Sequence, residues 1–167
     1  MSSPICFPDL DIDIDPVWGE AIDWEALAAA AAEATAAVAP EIAHGTMLVS
    51  LVLADDDEVR ALNRQWRAKD QPTNVLSFPM LSREEVLRAG AQTGPAMLGD
   101  VILAHGVCVR EAAEKGVTEA AHASHLIVHG LLHLAGYDHE TGEREAEEME
   151  ALERKALALL GLADPYA

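Results

Sequence analysis

The chain has 167 residues, half of them apolar, and a formal net charge of −18 at pH 7. This length suits one domain spanning residues 1–167, and no uninterrupted apolar run approaches the roughly 20 residues of a membrane-spanning helix. So negative a charge argues against a general, nonspecific nucleic-acid binder, and any RNA partner would need a local basic patch.

The N-terminal stretch MSSPICFPDLDIDIDP carries acidic residues where a secretory signal would have positive charge and an apolar stretch. We therefore expect a soluble, cytoplasmic protein with no membrane partner. The two cysteines, Cys6 and Cys108, do not form a CxxC pair. They predict reduced thiols, with Cys108 buried as a small hydrophobic residue.

Hydrophobic periodicity predicts four strands and several helices. Alternating acidic and apolar residues predict a strand at 9–15, and an alanine-rich stretch predicts a helix at 21–38 that ends near Pro40. Apolar, β-branched stretches predict further strands at 46–54, 73–79 and 97–104. Helices are predicted after the aspartates at 55–57 and at 106–115, 118–135 and 143–160, and a surface excursion with a short helical pattern at 82–95.

Strands early in the chain and helices late predict the fold class α+β. We expect a single layered domain in which a small mixed β-sheet of about four strands packs against several helices, one of them a buried, histidine-bearing helix. The acidic helix EREAEEMEALERKALALL is predicted to be a solvated face with internal ion pairs.

The histidine-bearing helix, 118–134, is apolar almost all round apart from its histidines. His129 and His133 are four residues apart, so they lie on one face and can bind one ion from the same side. A further helical histidine would lie too far away, since three at this spacing span about 12 Å. Gly136 ends the helix and the chain turns back, bringing His139 over the helix end. The spacing predicts a metal site of His129, His133 and His139.

Three neutral nitrogen ligands suit Zn²⁺, and a fourth position left to water would make the site catalytic. Asp138 is predicted to hold one of the imidazoles in place, the alternative being that it only shapes the turn. Each histidine taken singly could instead be a hydrogen-bonded core residue. We expect His122 and His125 to support or line the site, and His44 and His105 to be structural.

The zinc peptidases carry H-E-x-x-H on a helix, with the glutamate as general base. Here Gly130 stands at the glutamate position, so the usual agent for activating water is missing and we expect no peptidase activity. A glycine between two ligands indicates either tight packing of the helix or access for a substrate.

Two blocks of sequence resemble one family. HGLLHLAGYDH, at 129–139, matches every fixed position of the H-G-x-L-H-L-x-G-Y-D-H signature of the YbeY family of bacterial rRNA maturation factors. LNRQWRAKDQPTNVLSFP, at 62–79, is similar to that family's L-N-x-x-Y-R-x-K-D-x-P-T-D-V-L-S-F-P, and LGD at 98–100 also fits. Trp66 replaces the usual tyrosine, and Asn74 replaces the usual aspartate, which weakens any role of that position as an acid or base.

The resemblance covers roughly 46–155. It implies a metal-dependent endoribonuclease acting on single-stranded RNA, with a part in 3′-end processing of small-subunit rRNA and in ribosome quality control. It also implies contact with the ribosome or ribosomal proteins, one zinc per chain held by His129, His133 and His139, and a functional role for Arg67.

The local basic patch that RNA binding requires is present at VRALNRQWRAK, which contains four of the eleven lysines and arginines. Arg67 stands where the helix ends and is predicted to be catalytic, because a guanidinium can grip phosphate oxygens and offset developing charge. Arg64 and Lys69 are predicted to bind substrate, and Trp66 offers a stacking surface. Arg60 is better explained by an ion pair with the aspartates at 55–57.

These patterns predict a zinc-dependent, single-strand-specific endoribonuclease. The alternative is a non-catalytic assembly factor in which zinc holds the fold and the basic face binds RNA. A fourth protein ligand, from His105, Cys108, His122 or His125, would favour that alternative. The sequence leaves open whether water or the RNA 2′-hydroxyl attacks, which residue is the general base, and the oligomeric state.

Overall fold

The computed structural model of the chain describes residues 8–43, 47–89, 96–138 and 142–166. These residues form four strands, β1 (Asp9–Ile14), β2 (Met47–Ala54), β3 (Val75–Pro79) and β4 (Ala96–Ala104). They also form six α-helices: α1 (Trp24–Val38), α2 (Asp56–Arg67), α3 (Arg83–Ala89), α4 (His105–Lys115), α5 (Glu119–Leu134) and α6 (Glu143–Leu159). Two short 3₁₀ helices span Pro16–Trp18 and Pro40–Ile42.

The strands form one mixed sheet in the order β1-β2-β4-β3. Strands β1, β2 and β4 are parallel, and β3 lies antiparallel to β4 at the edge, with Val75 opposite Leu103 and Pro79 opposite Gly99. Helices α1, α5 and α6 pack on one face over the main core. Helix α2 lies on the other face over a smaller core that includes Val59, and α4 packs mainly against α5. The predicted α+β fold with a mixed four-stranded sheet is confirmed.

Side-chain caps set where α1, α2 and α5 begin. The Asp23 carboxylate accepts a hydrogen bond of 3.1 Å from the Ala26 N–H, so α1 begins at Trp24 instead of the predicted residue 21. The Asp55 carboxylate caps α2 in the same way, and the Thr118 hydroxyl caps α5. Within the predicted excursion at 82–95, the described part is mostly α3, and 90–95 lie outside the described residues.

Helix α5 is buried along most of its length, as its composition predicts. A Cβ at Gly130 would lie 2.7 Å from Val101 Cγ1 on β4, so the glycine lets α5 pack tightly against the sheet. Of the two explanations for Gly130, the structure therefore supports tight packing. None of the helices in the described part of the chain combines the length and hydropathy of a bilayer-spanning segment.

Candidate active site

A cleft of about 720 Å³ opens beside edge strand β3, between the end of α2 and the face of α5. It brings together most of the predicted site: Arg67, Lys69, His129, His133 and Asp138 all line it. The predicted ligand His139 lies outside the described residues. Arg64 is exposed on α2 and is not among the residues that line the cleft.

The two helical histidines lie next to each other on α5. The ring centroids of His129 and His133 are 4.7 Å apart, with the ring planes at 82°. Both side chains are partly buried and both face the cleft. Within the described ranges, no three His, Cys, Asp or Glu side chains form a group able to hold a metal ion. The described part of the chain thus contains two of the three predicted ligands.

Glu153 of α6 is a fully buried carboxylate behind the histidines. It accepts hydrogen bonds from His129 Nδ1 and from the Tyr166 hydroxyl. His125 Nε2 lies 3.5 Å from Oε2 of Glu153 and has no hydrogen-bond partner among the described residues. Burial alone would raise the pKa of Glu153, but the imidazoles of His125 and His129 and the Tyr166 hydroxyl outweigh it and lower the pKa to about 2.

The position of Glu153 determines which tautomer of His129 is present. Because Nδ1 of His129 faces the carboxylate, we assign the proton to Nδ1, so that Nε2 carries the lone pair. A carboxylate that holds an imidazole in this tautomer is the usual support for a metal-binding histidine. His129 and His133 therefore fit the zinc ligands that the sequence predicts.

The prediction that the acidic helix is only a solvated face is wrong at Glu153. This residue falls in the buried stripe of α6, together with Met149, Ala156 and Leu157. A glutamate at helical spacing within an apolar stripe was the sequence signal that could have identified it.

The end of α2 sets the positions of the two cleft cations. The Asn63 side chain is buried and donates a hydrogen bond of 2.8 Å to the Gln71 carbonyl, and the Asn63 carbonyl accepts from the Lys69 N–H at 3.3 Å. Ala68 caps the helix in the left-handed conformation, with φ of 57°. Neither Arg67 nor Lys69 forms an ion pair with a carboxylate of the described residues, so both charges remain available to an anionic ligand.

Arg60 does not pair with the aspartates at 55–57 as expected. Its guanidinium makes two hydrogen bonds to the Asp70 carboxylate, at 2.9 and 3.1 Å. Asp70 comes close because the chain turns back after α2, which the helical spacing alone could not show. Arg60 lowers the pKa of Asp70, and Arg64 contributes in the same direction. The basic face therefore divides, with Arg60 and Arg64 near Asp70 and Arg67 in the cleft.

Polar residues on β3 and just before it were not predicted as site residues. Thr73, Asn74 and Ser77 line the cleft, and the hydrophobic pattern of this strand carried no signal for them. The Asn74 amide donates a hydrogen bond of 3.0 Å to Glu111, which also bonds the buried His122 at 2.8 Å. Since an aspartate at position 74 would face the Glu111 carboxylate, the amide serves here as a structural donor.

A hydrogen-bonded turn connects the end of α5 to Asp138. Gly136 has φ of 103°, and the N–H groups of Gly136 and Tyr137 bond back to the last turn of α5, as in a Schellman motif. Arg83 donates a hydrogen bond of 2.9 Å to the Ala135 carbonyl and pairs with Glu41, which also accepts from the Tyr137 hydroxyl. These contacts position the segment that leads to the third predicted ligand.

The remaining candidates for a fourth ligand, His105, Cys108, His122 and His125, are not among the residues that line the cleft, although His125 lies behind it beside Glu153. His105 bonds Glu119 at 3.1 Å and packs against the Trp18 ring, which agrees with a structural role. Burial raises the pKa of the Cys108 thiol to about 12, which agrees with the predicted role of Cys108 as a small buried hydrophobic residue.

The sequence model of the endoribonuclease YbeY family matches residues 17–161. The chain belongs to this family. The resemblance carried by the blocks at 62–79 and 129–139 is confirmed, and family membership gives the enzyme class, endoribonuclease.

Similar proteins cover the whole chain. A protein of Novosphingobium aromaticivorans named endoribonuclease YbeY is 76% identical over 100% of this chain and 98% of its own length. Another with that name, from Erythrobacter litoralis, is 52% identical over 94% of this chain and 96% of its own length. A solution structure of a Thermotoga maritima protein has a similar fold, with a TM-score of 0.59 and 27% identity over 90% of this chain and 88% of that one.

Proposed function

We propose that this YbeY-family protein is a zinc-dependent endoribonuclease that cleaves single-stranded RNA. The observation that carries the proposal is the pairing, in one cleft, of two cations from the end of α2 with two histidines of α5. In a chain of net charge −18, a cleft with Arg67 and Lys69 on its wall is a local site where a phosphodiester is accepted.

His129 and His133, with His139 as the predicted third ligand, would hold one zinc ion. Bound zinc would lower the pKa of a coordinated water or polarise a phosphoryl oxygen. Glu153 holds the His129 ring in the tautomer that presents Nε2. Asp138 lines the same cleft and is proposed to hold a ligand imidazole.

The cations have separate roles. The Arg67 guanidinium grips the phosphate through two parallel hydrogen bonds and offsets the charge that develops during cleavage. Lys69 supplies a point charge to a neighbouring phosphate, and Arg64, outside the cleft, contacts the RNA further along the strand.

The family resemblance supports the biological setting. We propose a cytoplasmic enzyme that acts on rRNA, at the 3′ end of the small-subunit rRNA and in ribosome quality control, in contact with the ribosome or ribosomal proteins. The alternative, a zinc-stabilised factor that binds RNA without cutting it, is distinguished by the test below.

The test compares variants of zinc-loaded protein on a labelled single-stranded RNA. Arg67→Ala should lower kcat at least about 100-fold, as expected for loss of one preorganised donor, with zinc content and thermal stability unchanged. Arg67→Lys should recover only part of that loss. The matched control is Arg110→Ala on α4, which removes an exposed arginine outside the cleft.

His133→Ala should lose both zinc and cleavage. RNA binding without cleavage by the zinc-loaded wild type would favour the non-catalytic alternative. Equal turnover of Arg67→Ala and Arg110→Ala would remove Arg67 from the reaction.

A further inference from the structure

An apolar groove of about 360 Å³ lies on the α2 side of strand β3. Trp66, Phe78 and Met80 line it, and Pro79 lines both this groove and the cleft. Side chains alternate along a strand, so Ser77 and Pro79 face the cleft while Phe78 faces the groove. The two sites therefore meet at the edge of β3.

The groove exposes large apolar side chains to solvent. Trp66 is 65% exposed and Met80 is 57% exposed. The Trp66 ring makes an edge-to-face contact with Phe78 at 6.5 Å between centroids, which holds the indole over the groove. An apolar patch of this kind on a folded chain marks a binding site.

We propose that this groove is a stacking subsite for a nucleobase of the RNA, next to the phosphate held at Arg67. The proposal rests on the proposed function, since it takes single-stranded RNA as the ligand. Consecutive residues of a helix point about 100° apart, so the last turn of α2 directs Arg67 into the cleft and Trp66 into the groove. One strand of RNA crossing the edge of β3 would thus place a phosphate on one side and a base on the other.

Charge and size favour a base over other occupants. Asp100 lines the groove, and its carboxylate repels a phosphate but accepts a hydrogen bond from the N–H groups that every base carries. The groove is at the small end of ligand pockets, about 300–1,000 Å³, whereas a stable protein interface takes about 800 Å² from each partner. An aromatic platform beside a cationic groove is the usual way in which proteins bind single strands without sequence preference.

The three tryptophans of the chain make the groove directly observable. Trp18 and Trp24 are 4% and 3% exposed, so Trp66 is the tryptophan that a ligand in solution can reach. A short single-stranded RNA should quench the intrinsic fluorescence of the wild-type protein to saturation. The same RNA with abasic positions should quench far less, because it offers phosphates without bases.

Substitutions then test whether the contact supports binding. Trp66→Ala should raise KM and the Kd for RNA roughly 5- to 150-fold, which is the range for loss of one stacked base. Trp66→Phe should bind with much smaller loss while losing the fluorescence signal. Leu159→Ala is the matched control, because Leu159 is 63% exposed on α6 and does not line the groove.

The outcomes separate the groove from the enzyme activity. The stacking subsite is overturned if the wild type cleaves RNA but RNA does not quench its fluorescence and Trp66→Ala does not raise KM. The proposed nuclease activity would be unaffected by that result. Saturable quenching without cleavage overturns the nuclease and leaves the subsite. If Trp66→Ala weakens binding to a ribosomal protein but not to RNA, the groove is a protein-docking surface and the proposal is wrong.

Discussion

Replacing Glu153 by glutamine would remove the charge that faces His129 while keeping the size of the side chain. One glutamine oxygen can still accept from His129 Nδ1 or from the Tyr166 hydroxyl, the two donors that Glu153 now accepts from. The buried packing is therefore retained, and the loss should fall on the basicity and orientation of His129. We expect zinc affinity to decrease much more than folding stability.

The expected loss can be estimated from the contacts of Glu153. Partners that hold a metal-binding imidazole typically contribute 10- to 100-fold in metal affinity. Full burial and the engagement of both carboxylate oxygens place Glu153 toward the upper end, which corresponds to about 2–3 kcal/mol. Glu153→Leu should additionally lower the free energy of unfolding by about 2–6 kcal/mol, because two buried donors lose their acceptor at about 1–3 kcal/mol each.

Competition with a chromophoric chelator would measure the zinc Kd of each variant, and urea denaturation of the zinc-free proteins would measure stability. Glu150→Gln is the matched control, since Glu150 lies one turn away on α6 and pairs only weakly, at 3.8 Å, with Arg154. If Glu153→Gln binds zinc as tightly as Glu150→Gln does, then Glu153 does not position His129 for a metal and our interpretation of the buried carboxylate is wrong.

Gly130→Ala should destabilise the fold by about 1 kcal/mol in urea denaturation, because overpacking against Val101 exceeds the gain in helix propensity. Adding Val101→Ala in the same chain should reverse the loss that Gly130→Ala causes. A single variant more stable than the wild type would contradict the tight packing of α5 against β4. In a Cys6→Ser background, the Cys108 thiol, with its pKa raised to about 12, should not react with a disulfide reagent at pH 8 until the protein unfolds, and rapid native labelling would show it to be accessible. Burial opposes ionisation of Glu41, but its hydrogen bonds to Tyr137 and Arg83 outweigh burial and lower its pKa below the ordinary 4.5. The stability that the ionised Glu41 contributes is therefore complete above pH 4.5 and is lost as the pH falls. The free energy of unfolding of Glu41→Gln should decrease less steeply with acid than that of the wild type, and an unchanged pH profile would refute this.

Local sequence patterns predicted the strands and helices because the interactions that form these elements are themselves local. The alternation in DLDIDI, the apolar run before Asp55 and the cap at Thr118 each act within a few residues, and the structure has β1, β2 and α5 there. The antiparallel pairing of β3 with β4 depends on contacts between distant residues, so the local pattern of β3 did not predict it; Pro79 agrees with an edge position but names no partner strand.

The same distinction holds in the cleft. The spacing of His129 and His133 predicted a shared helix face, and their rings lie 4.7 Å apart on α5. The partners that come from elsewhere in the chain were missed or mistaken: Glu153 on α6, and Asp70 in place of residues 55–57 for Arg60. Charge alone could not identify them, because this chain has 29 acidic residues and only the fold selects which of them meets a given histidine or arginine.

Three carboxylates near the cleft of this acidic chain are engaged by donors from within the protein. Glu153 is held by His129 and Tyr166, Glu111 by Asn74 and His122, and Glu41 by Arg83 and Tyr137. Each carboxylate accepts hydrogen bonds from internal donors, and these bonds also hold an element of the cleft wall in place. Arg67 and Lys69, by contrast, form no ion pair with the described carboxylates. These three glutamates therefore orient the histidines and turns around the cleft, and a phosphate entering the cleft would meet the two cations at the end of α2 together with the carboxylate of Asp138.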